Sequence, residues 1–320
     1  MIMNDIINKI KESSTIAVTF HESPDGDSVG TSLALMQGLR KLNKEVYIVS
    51  KDKIPTNLSF LPFAKEIDGI SDEILEETDC VIVVDCGDVK RINVKDLDIT
   101  NRNFTLINID HHRTNEMYGD YNYVDTNAIA VAEVIYQILR MMNISIDKEM
   151  AACLYTSLIT DSGSFRHSGT TCVTHTIAGD LINTGIDFSD IHRKVFENKS
   201  YNKVKFSGRV IENMELACNE KICVMKITKD MLEEFDIDSS NTGDIVSLGT
   251  VIDTVEVTIL LKEAEEGTKI SLRSKAQVDV RKVAECFQGG GHTRAAGMFL
   301  NKEIDEAKDI IVKEVEKELI

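Results

Sequence analysis

Residues 15–30 read Thr-Ile-Ala-Val-Thr-Phe-His-Glu-Ser-Pro-Asp-Gly-Asp-Ser-Val-Gly. Residues 15–20 offer almost no polar face, the pattern of a strand buried on both sides. The run passes directly into one loop bearing an imidazole and two carboxylates, His21, Asp25 and Asp27, where Pro24 and Gly26 can set the turn. A helical period then occupies 29–42. The same sequence of strand followed by polar residues recurs downstream. Residues 80–84 (Cys-Val-Ile-Val-Val) end on Asp85-Cys-Gly-Asp88, and residues 104–109 (Phe-Thr-Leu-Ile-Asn-Ile) end on Asp110-His111-His112-Arg113. With a further strand over 45–49, the pattern predicts an α/β fold whose parallel sheet is flanked by helices. Ligands of such sheets bind beyond the carboxyl ends of the strands, so the polar clusters are expected to converge.

Outward from this block, helical periods cover 128–142 and 148–160, the second ending at Asp161, and more helical stretches continue to about residue 215. Strand patterns at 221–227, 254–261 and 269–274 and an amphipathic helix over 302–319 predict a smaller α/β unit. A chain of 320 residues is long enough for two cores. The expected division is a first domain over 1–188, a helical linker over 189–215 and a second domain over 216–320.

The chain carries 36 Lys and Arg against 53 Asp and Glu, a formal charge of −17, which excludes a protein that coats long nucleic acid through bulk positive charge. Residues 267–300 reverse the trend, with Lys269, Arg273, Lys275, Arg281, Lys282 and Arg294 against Asp279 and Glu285. The charged residues of the first 14 positions leave no signal-peptide core, and no run of 18 apolar residues occurs. A cytoplasmic protein without membrane association is expected. Seven cysteines without a C-x-x-C pair argue against disulfides and thiolate zinc sites and are read as small core residues.

Each polar cluster taken alone has an ordinary reading, such as a helix cap at Asp25–Ser28 or after Asp85. An EF-hand is excluded, because counting from Asp25 places Val29 and Met36 where oxygen ligands are required. Together, the clusters supply imidazoles and carboxylates with no soft thiolate. That set suits a pair of octahedral ions such as Mn²⁺ or Mg²⁺, and paired ions suit displacement at phosphorus. A phosphoesterase is the expected activity.

His21-x-x-x-Asp25-x-Asp27, Asp85, Asp110-His111-His112 and Asp161 resemble, in order, the four N-terminal motifs of the DHH phosphoesterases. Gly289-Gly-Gly-His-Thr-Arg-Ala-Ala-Gly297 resembles the signature of the C-terminal domain associated with them. The resemblance implies one ion held by His21, Asp25 and Asp85 and another by Asp27, Asp85, His111 and Asp161, with Asp85 shared and catalytic. The ions would be Mn²⁺ first, with Mg²⁺ or Co²⁺ as alternatives. It further implies that His112 faces the scissile phosphate, that Asp110 orients a neighbouring histidine, and that substrate lies in a cleft between the domains. Gly289, Gly290 and Gly291 would admit backbone N–H groups to a phosphate, with His292 and Arg294 adjoining. Arg273 is read either as an exposed strand charge or as a clamp on a terminal phosphate.

A two-domain chain of this length is similar to the nano-RNase group. That likeness implies short oligoribonucleotides, the dinucleotides pApA and pGpG, and 3′-phosphoadenosine 5′-phosphate as substrates, with no long duplex as partner. Cyclic-di-AMP hydrolysis, a catalytically silent nucleotide-binding regulator on the same fold, and a homodimer remain open at this level. Ser162 departs from the Thr that relatives often carry.

Overall fold

The computed structural model describes residues 2–319, apart from the side chain of His292. The chain divides into two units, 1–198 and 199–320.

In the first unit, helix α1 (Ile2–Glu12) precedes strand β1 (Thr15–Thr19), helix α2 (Gly26–Arg40) and strands β2 (Glu45–Ile48), β3 (Cys80–Val84), β4 (Thr105–Asp110) and β5 (Tyr121–Val124). Helices α3 (Val131–Met141), α4 (Lys148–Asp161), α5 (Cys172–Ile182) and α6 (Phe188–His192) follow. The five strands form one parallel sheet in the order β2-β1-β3-β4-β5. The double-sided burial expected of these runs holds, since every residue of β1 and β3 is buried. Ile16, Val18, Ile82, Val84, Ile107 and Ile109 point to the side packed by α2, α3 and α4. Ala17, Val81, Val83 and Leu106 point to the other, covered by irregular segments carrying Ile74, Ile92, Val94 and Tyr118. Gly30 lets α2 press against α4, because a Cβ there would lie 2.5 Å from the carbonyl oxygen of Cys153.

Chain order reverses between β1 and β3, since β2 lies on the far side of β1. That is the topological switch point at which such sheets open a crevice at their carboxyl ends. His21 and Asp85 stand at those two ends.

The second unit contains helix α7 (Tyr201–Glu212), strands β6 (Glu215–Ala217) and β7 (Ile222–Ile227), helix α8 (Lys229–Glu234), strands β8 (Val257–Glu263) and β9 (Thr268–Ser274), helix α9 (Val280–Glu285), strands β10 (Gly290–His292) and β11 (Ala295–Leu300), and helix α10 (Ile304–Glu318). Its sheet runs β10-β11-β9-β8-β7-β6, with β7 and β8 parallel and the remaining pairs antiparallel. Both faces are covered. Val257, Ile259 and Leu272 meet α9 and α10, while Cys223 and Met225 meet Phe206 and Val210 of α7. The cysteines are all free, and Cys80, Cys86, Cys153 and Cys223 are buried. Cys172 and Cys286 are exposed, so the reading of all seven as core residues is corrected at those two.

Candidate active site

The switch point gathers the polar clusters of the first unit. His21 leaves β1 and is fixed by a bridge to Ile92, and its Nδ1 donates to the carbonyl of Glu22 at 2.8 Å. Nε2 therefore faces the acids, 3.4 Å from Asp85 Oδ2 and 3.7 Å from Asp25 Oδ2. Asp25 caps α2, its Oδ1 accepting the N–H groups of Asp27 and Ser28 at 3.1 Å each, which leaves Oδ2 toward His21.

Asp27, in the first turn of the same helix, is fully buried. It accepts the Val131 N–H at 2.7 Å and the Ser157 hydroxyl from α4. His111 follows β4, and its Nδ1 donates to the Ala128 carbonyl at 3.1 Å. That bond sets its tautomer, and Nε2 lies 3.5 Å from Asp85 Oδ1, 3.6 Å from Asp161 Oδ2 and 3.9 Å from Asp27 Oδ2. Among the described residues two donor sets with no member in common result, His21–Asp25–Asp85 and Asp27–His111–Asp161, and a third, Asp85–His111–His112, overlaps both, the ligand atoms within each lying within 4.8 Å of one another. Asp85 belongs to the first and reaches His111 of the second. The structure thus brings together all six metal-ligand candidates.

The electrostatics fit divalent cations. Asp85 is 2% exposed, adopts a left-handed backbone conformation (φ 54°), and its Oδ1, though 3.5 Å from His111 Nε2, accepts no hydrogen bond among the described residues. A buried carboxylate oxygen without a donor is costly unless a cation meets it. Burial alone would lower the pKa of His21, but Asp25 and Asp85 outweigh it and push it up to about 11. His111 is likewise pushed up to about 11 against burial, by Asp85, Asp27 and Asp161. Burial and the Asp85 charge push Asp27 up to about 7, and burial with the neighbouring carboxylates raises Asp161 well above its usual range. Asp85 is held low despite burial by His111 and His21. Without an ion, then, imidazolium protons compensate the acids; nitrogen and oxygen donors crowded in this way are the ligand set of hard divalent ions.

His112 stands nearly perpendicular to His111, at 79° with ring centroids 4.8 Å apart, so the adjacent histidines serve different directions. Its Nδ1 bonds Asp110 Oδ1 at 2.7 Å. Asp110 is fully buried and also accepts from Asn115. Asp88 caps the turn after Asp85 through the Lys90 N–H, and an Arg91 guanidinium N–H reaches the Glu22 carbonyl at 3.4 Å.

Ser157 and His167 went unremarked in the sequence. Ser157 lies four residues before Asp161, hence on the same face of α4, and that spacing was a legible signal. His167 donates to the main-chain carbonyl of Asp161 at 2.8 Å, across a turn whose shape the sequence did not reveal.

In the second unit, Arg273 on β9 pairs in register with Thr258 and Ala295. Its guanidinium donates to its own neighbour's carbonyl, Leu272 O, at 2.9 Å, and among the described residues no carboxylate pairs with it. Burial lowers its pKa. The glycine run leads into the edge strand β10, which forms a hairpin with β11 around a turn at Thr293 and Arg294. A Cβ on Gly289 would lie 2.4 Å from the Gly297 oxygen, and one on Gly291 2.4 Å from the Ala295 oxygen, whereas Gly290 has open space. Two of the glycines are thus required by the fold, and the third leaves room beside an unpaired strand edge. Arg294 turns its guanidinium to the carbonyls of Val278, at 2.7 Å, and Ala276. The side chain of His292 lies outside the described portion.

A family model described as the DHH family N-terminal domain matches residues 15–158, and one for the DHHA1 domain matches 219–319. A Thermus thermophilus protein named bifunctional oligoribonuclease and PAP phosphatase NrnA is 30% identical over 308 residues, covering 95% of this chain and 90% of its own. A Streptococcus mutans protein named probable bifunctional oligoribonuclease and PAP phosphatase NrnA is 32% identical over 293 residues, 91% of each chain. The crystal structure of an exopolyphosphatase-related protein from Bacteroides fragilis superposes with a TM-score of 0.92 at 27% identity, covering 99% of this chain and 96% of that one. The first matched span holds His21, Asp25, Asp27, Asp85 and His111, all of the two donor sets but Asp161, and the second holds the glycine run, and on both counts the chain belongs to the DHH family of phosphoesterases, with a DHHA1 domain as its second unit.

Proposed function

We propose that this protein hydrolyses short oligoribonucleotides and dinucleotides and removes the 3′-phosphate of 3′-phosphoadenosine 5′-phosphate, the paired activities for which its relatives are named. The observation that carries the reading is the pair of donor sets joined through Asp85 at the switch point. His21, Asp25 and Asp85 would hold one divalent ion, and Asp27, Asp85, His111 and Asp161 the other, with Mn²⁺ favoured. When bound, the ions supply a nucleophilic water at neutral pH and neutralise charge on the phosphate oxygens.

The chain's own groups complete the chemistry. Glu22 and Ala128 carbonyls fix the tautomers of His21 and His111, so both present Nε2 inward. Ser157 and the Val131 amide hold Asp27 in place. Water adds to phosphorus as the bond to the leaving oxygen breaks, and that oxygen must receive a proton. We assign its delivery to His112. Burial would weaken this imidazole's hold on its proton, but the Asp110 carboxylate on Nδ1 outweighs burial and raises its pKa, as a proton donor requires. Arg273 and the Gly289–Gly291 run, with His292, would receive the substrate's terminal phosphate, since no carboxylate among the described residues pairs with the Arg273 charge. Seven free thiols fit the reducing cytoplasm.

Phosphate release from 3′-phosphoadenosine 5′-phosphate and cleavage of RNA 2-mers to 10-mers, each with and without Mn²⁺, tests the reading. Turnover on both that requires the ion supports it, and binding without turnover overturns it.

A further inference from the structure

The second unit contains a buried carboxylate that the chemistry above does not use. Glu256, just ahead of β8, is 9% exposed. Its Oε1 accepts three successive main-chain N–H groups, those of Ala276, Gln277 and Val278, at 3.0, 2.5 and 3.0 Å. Successive N–H groups turned to one point make a nest of the kind that binds external anions, and here the chain's own carboxylate fills it. Burial would raise the Glu256 pKa, yet these donors and the nearby Arg294 outweigh it and keep the group ionised. The Glu256 carbonyl also accepts the Lys275 N–H at 2.9 Å.

Arg294 holds the opposite side of this loop, donating to the carbonyls of Ala276 and Val278. Glu256 therefore takes the N–H groups of Ala276, Gln277 and Val278 on its carboxylate and that of Lys275 on its carbonyl, while Arg294 takes the C=O groups of Ala276 and Val278. The loop connects the two parts of the phosphate-binding face. Arg273 immediately precedes it. After it, α9 is tied to the hairpin by a 3.0 Å bond from the Val280 N–H to the Thr293 carbonyl. Ser274 closes the unit, its N–H donating to Arg294 O at 3.1 Å and its hydroxyl to Val278 O at 2.7 Å. Residues 275–277 are exposed, and outside this clamp the Lys275 ammonium ties the loop's first residue to the carbonyls of Ile252 and Asp253.

We infer that Glu256 is a positioning residue for substrate binding: together with Arg294 it clamps the 275–278 loop and so fixes Arg273 relative to the glycine hairpin. Arg294 serves substrate through the loop it holds, not by touching phosphate. This rests on the reading of Arg273 and the hairpin as the terminal-phosphate face. A lysine at 294 keeps the charge but not the planar fork that spans two carbonyls.

The test is steady-state kinetics of E256A, E256Q, R294K and R273A on 3′-phosphoadenosine 5′-phosphate and on bis(p-nitrophenyl) phosphate, a diester without a terminal phosphate. E256A and R294K are expected to raise KM for the nucleotide on the order of tenfold, the size of a displaced charge-assisted contact. Their KM for the diester should stay within about twofold, and E256Q, whose amide oxygen still accepts N–H groups, should recover most of the loss. If R273A raises KM while E256A and R294K do not, the clamp is wrong and the binding face stands. If R273A leaves KM unchanged, the binding face falls and the clamp with it. Equal losses on both substrates, unrecovered in E256Q, would reduce Glu256 to a structural residue.

Discussion

The imidazole of His112 bonds the buried Asp110 carboxylate at 2.7 Å, two residues back along the same chain, where β4 ends. The pairing orients the ring and raises its pKa against the effect of burial. In D110N the bond can survive while the charge is lost. The His112 pKa should then fall, and the alkaline limb of the kcat profile should move to lower pH. With His112 as proton donor, kcat should drop by roughly 10²- to 10⁴-fold. Stopped assays across pH check this, and an unshifted limb with wild-type kcat would remove His112 from proton delivery.

Metal uptake should release protons. His21 and His111 are pushed up to about 11 without an ion, so both are protonated at neutral pH, and both must lose a proton to ligate through Nε2. Adding Mn²⁺ to the metal-free protein at pH 8 should release at least about two protons per chain in a weakly buffered solution, the raised Asp161 adding to the two histidines. The sign follows: apparent affinity rises with pH between 6 and 8. Proton release near zero would contradict the assignment of both histidines as ligands.

Ser157→Ala removes the hydroxyl that Asp27 accepts and leaves a buried carboxylate oxygen without a donor. The metal-free protein should lose about 1–3 kcal/mol in denaturant unfolding. Mn²⁺ affinity should fall on the order of 10- to 100-fold, because this hydrogen bond orients a ligand. Unchanged affinity by calorimetry would mean that Ser157 has no part in holding the site.

Gly30→Ala couples packing to the site. The new Cβ meets the Cys153 carbonyl at 2.5 Å, a backbone atom that cannot swing aside, so α2 and α4 must separate. About 1–3 kcal/mol of stability should be lost. Since α2 carries Asp27 and α4 ends at Asp161, Mn²⁺ binding should weaken as well. Loss of stability with full metal affinity would show that the two helices adjust without moving the ligands.

The parallel sheet and its strand ends were legible because β1, β3 and β4 are short, apolar on both faces and closed by charge. β5 escaped notice, since Tyr121–Val124 is half-buried and no apolar run marks it. β6 and β10 are three-residue edge strands, and β11, inside the sheet, is interrupted by Gly297, so the pairing of all three is set by tertiary contacts. Among site residues, the six ligand candidates could be read because each follows a recognisable element. The left-handed backbone of Asp85 could not, because nothing local to Asp-Cys-Gly demands it. Glu256 reads in sequence as one more acid in a β-rich run, and its role emerges only when residues twenty positions away turn their N–H groups toward it.

In the proposed function, Asp85 joins two metal sites into one catalytic centre. Asn at 85 preserves shape and tolerates the left-handed backbone, so the fold should survive the change. The decisive measurement is Mn²⁺ bound per chain, by equilibrium dialysis, alongside hydrolysis of 3′-phosphoadenosine 5′-phosphate in wild type and D85N. About two ions per wild-type chain are expected, with fewer ions bound and hydrolysis slower by at least roughly 10³-fold in a folded D85N. A single ion in the wild type, or wild-type turnover by D85N, would contradict that role of Asp85.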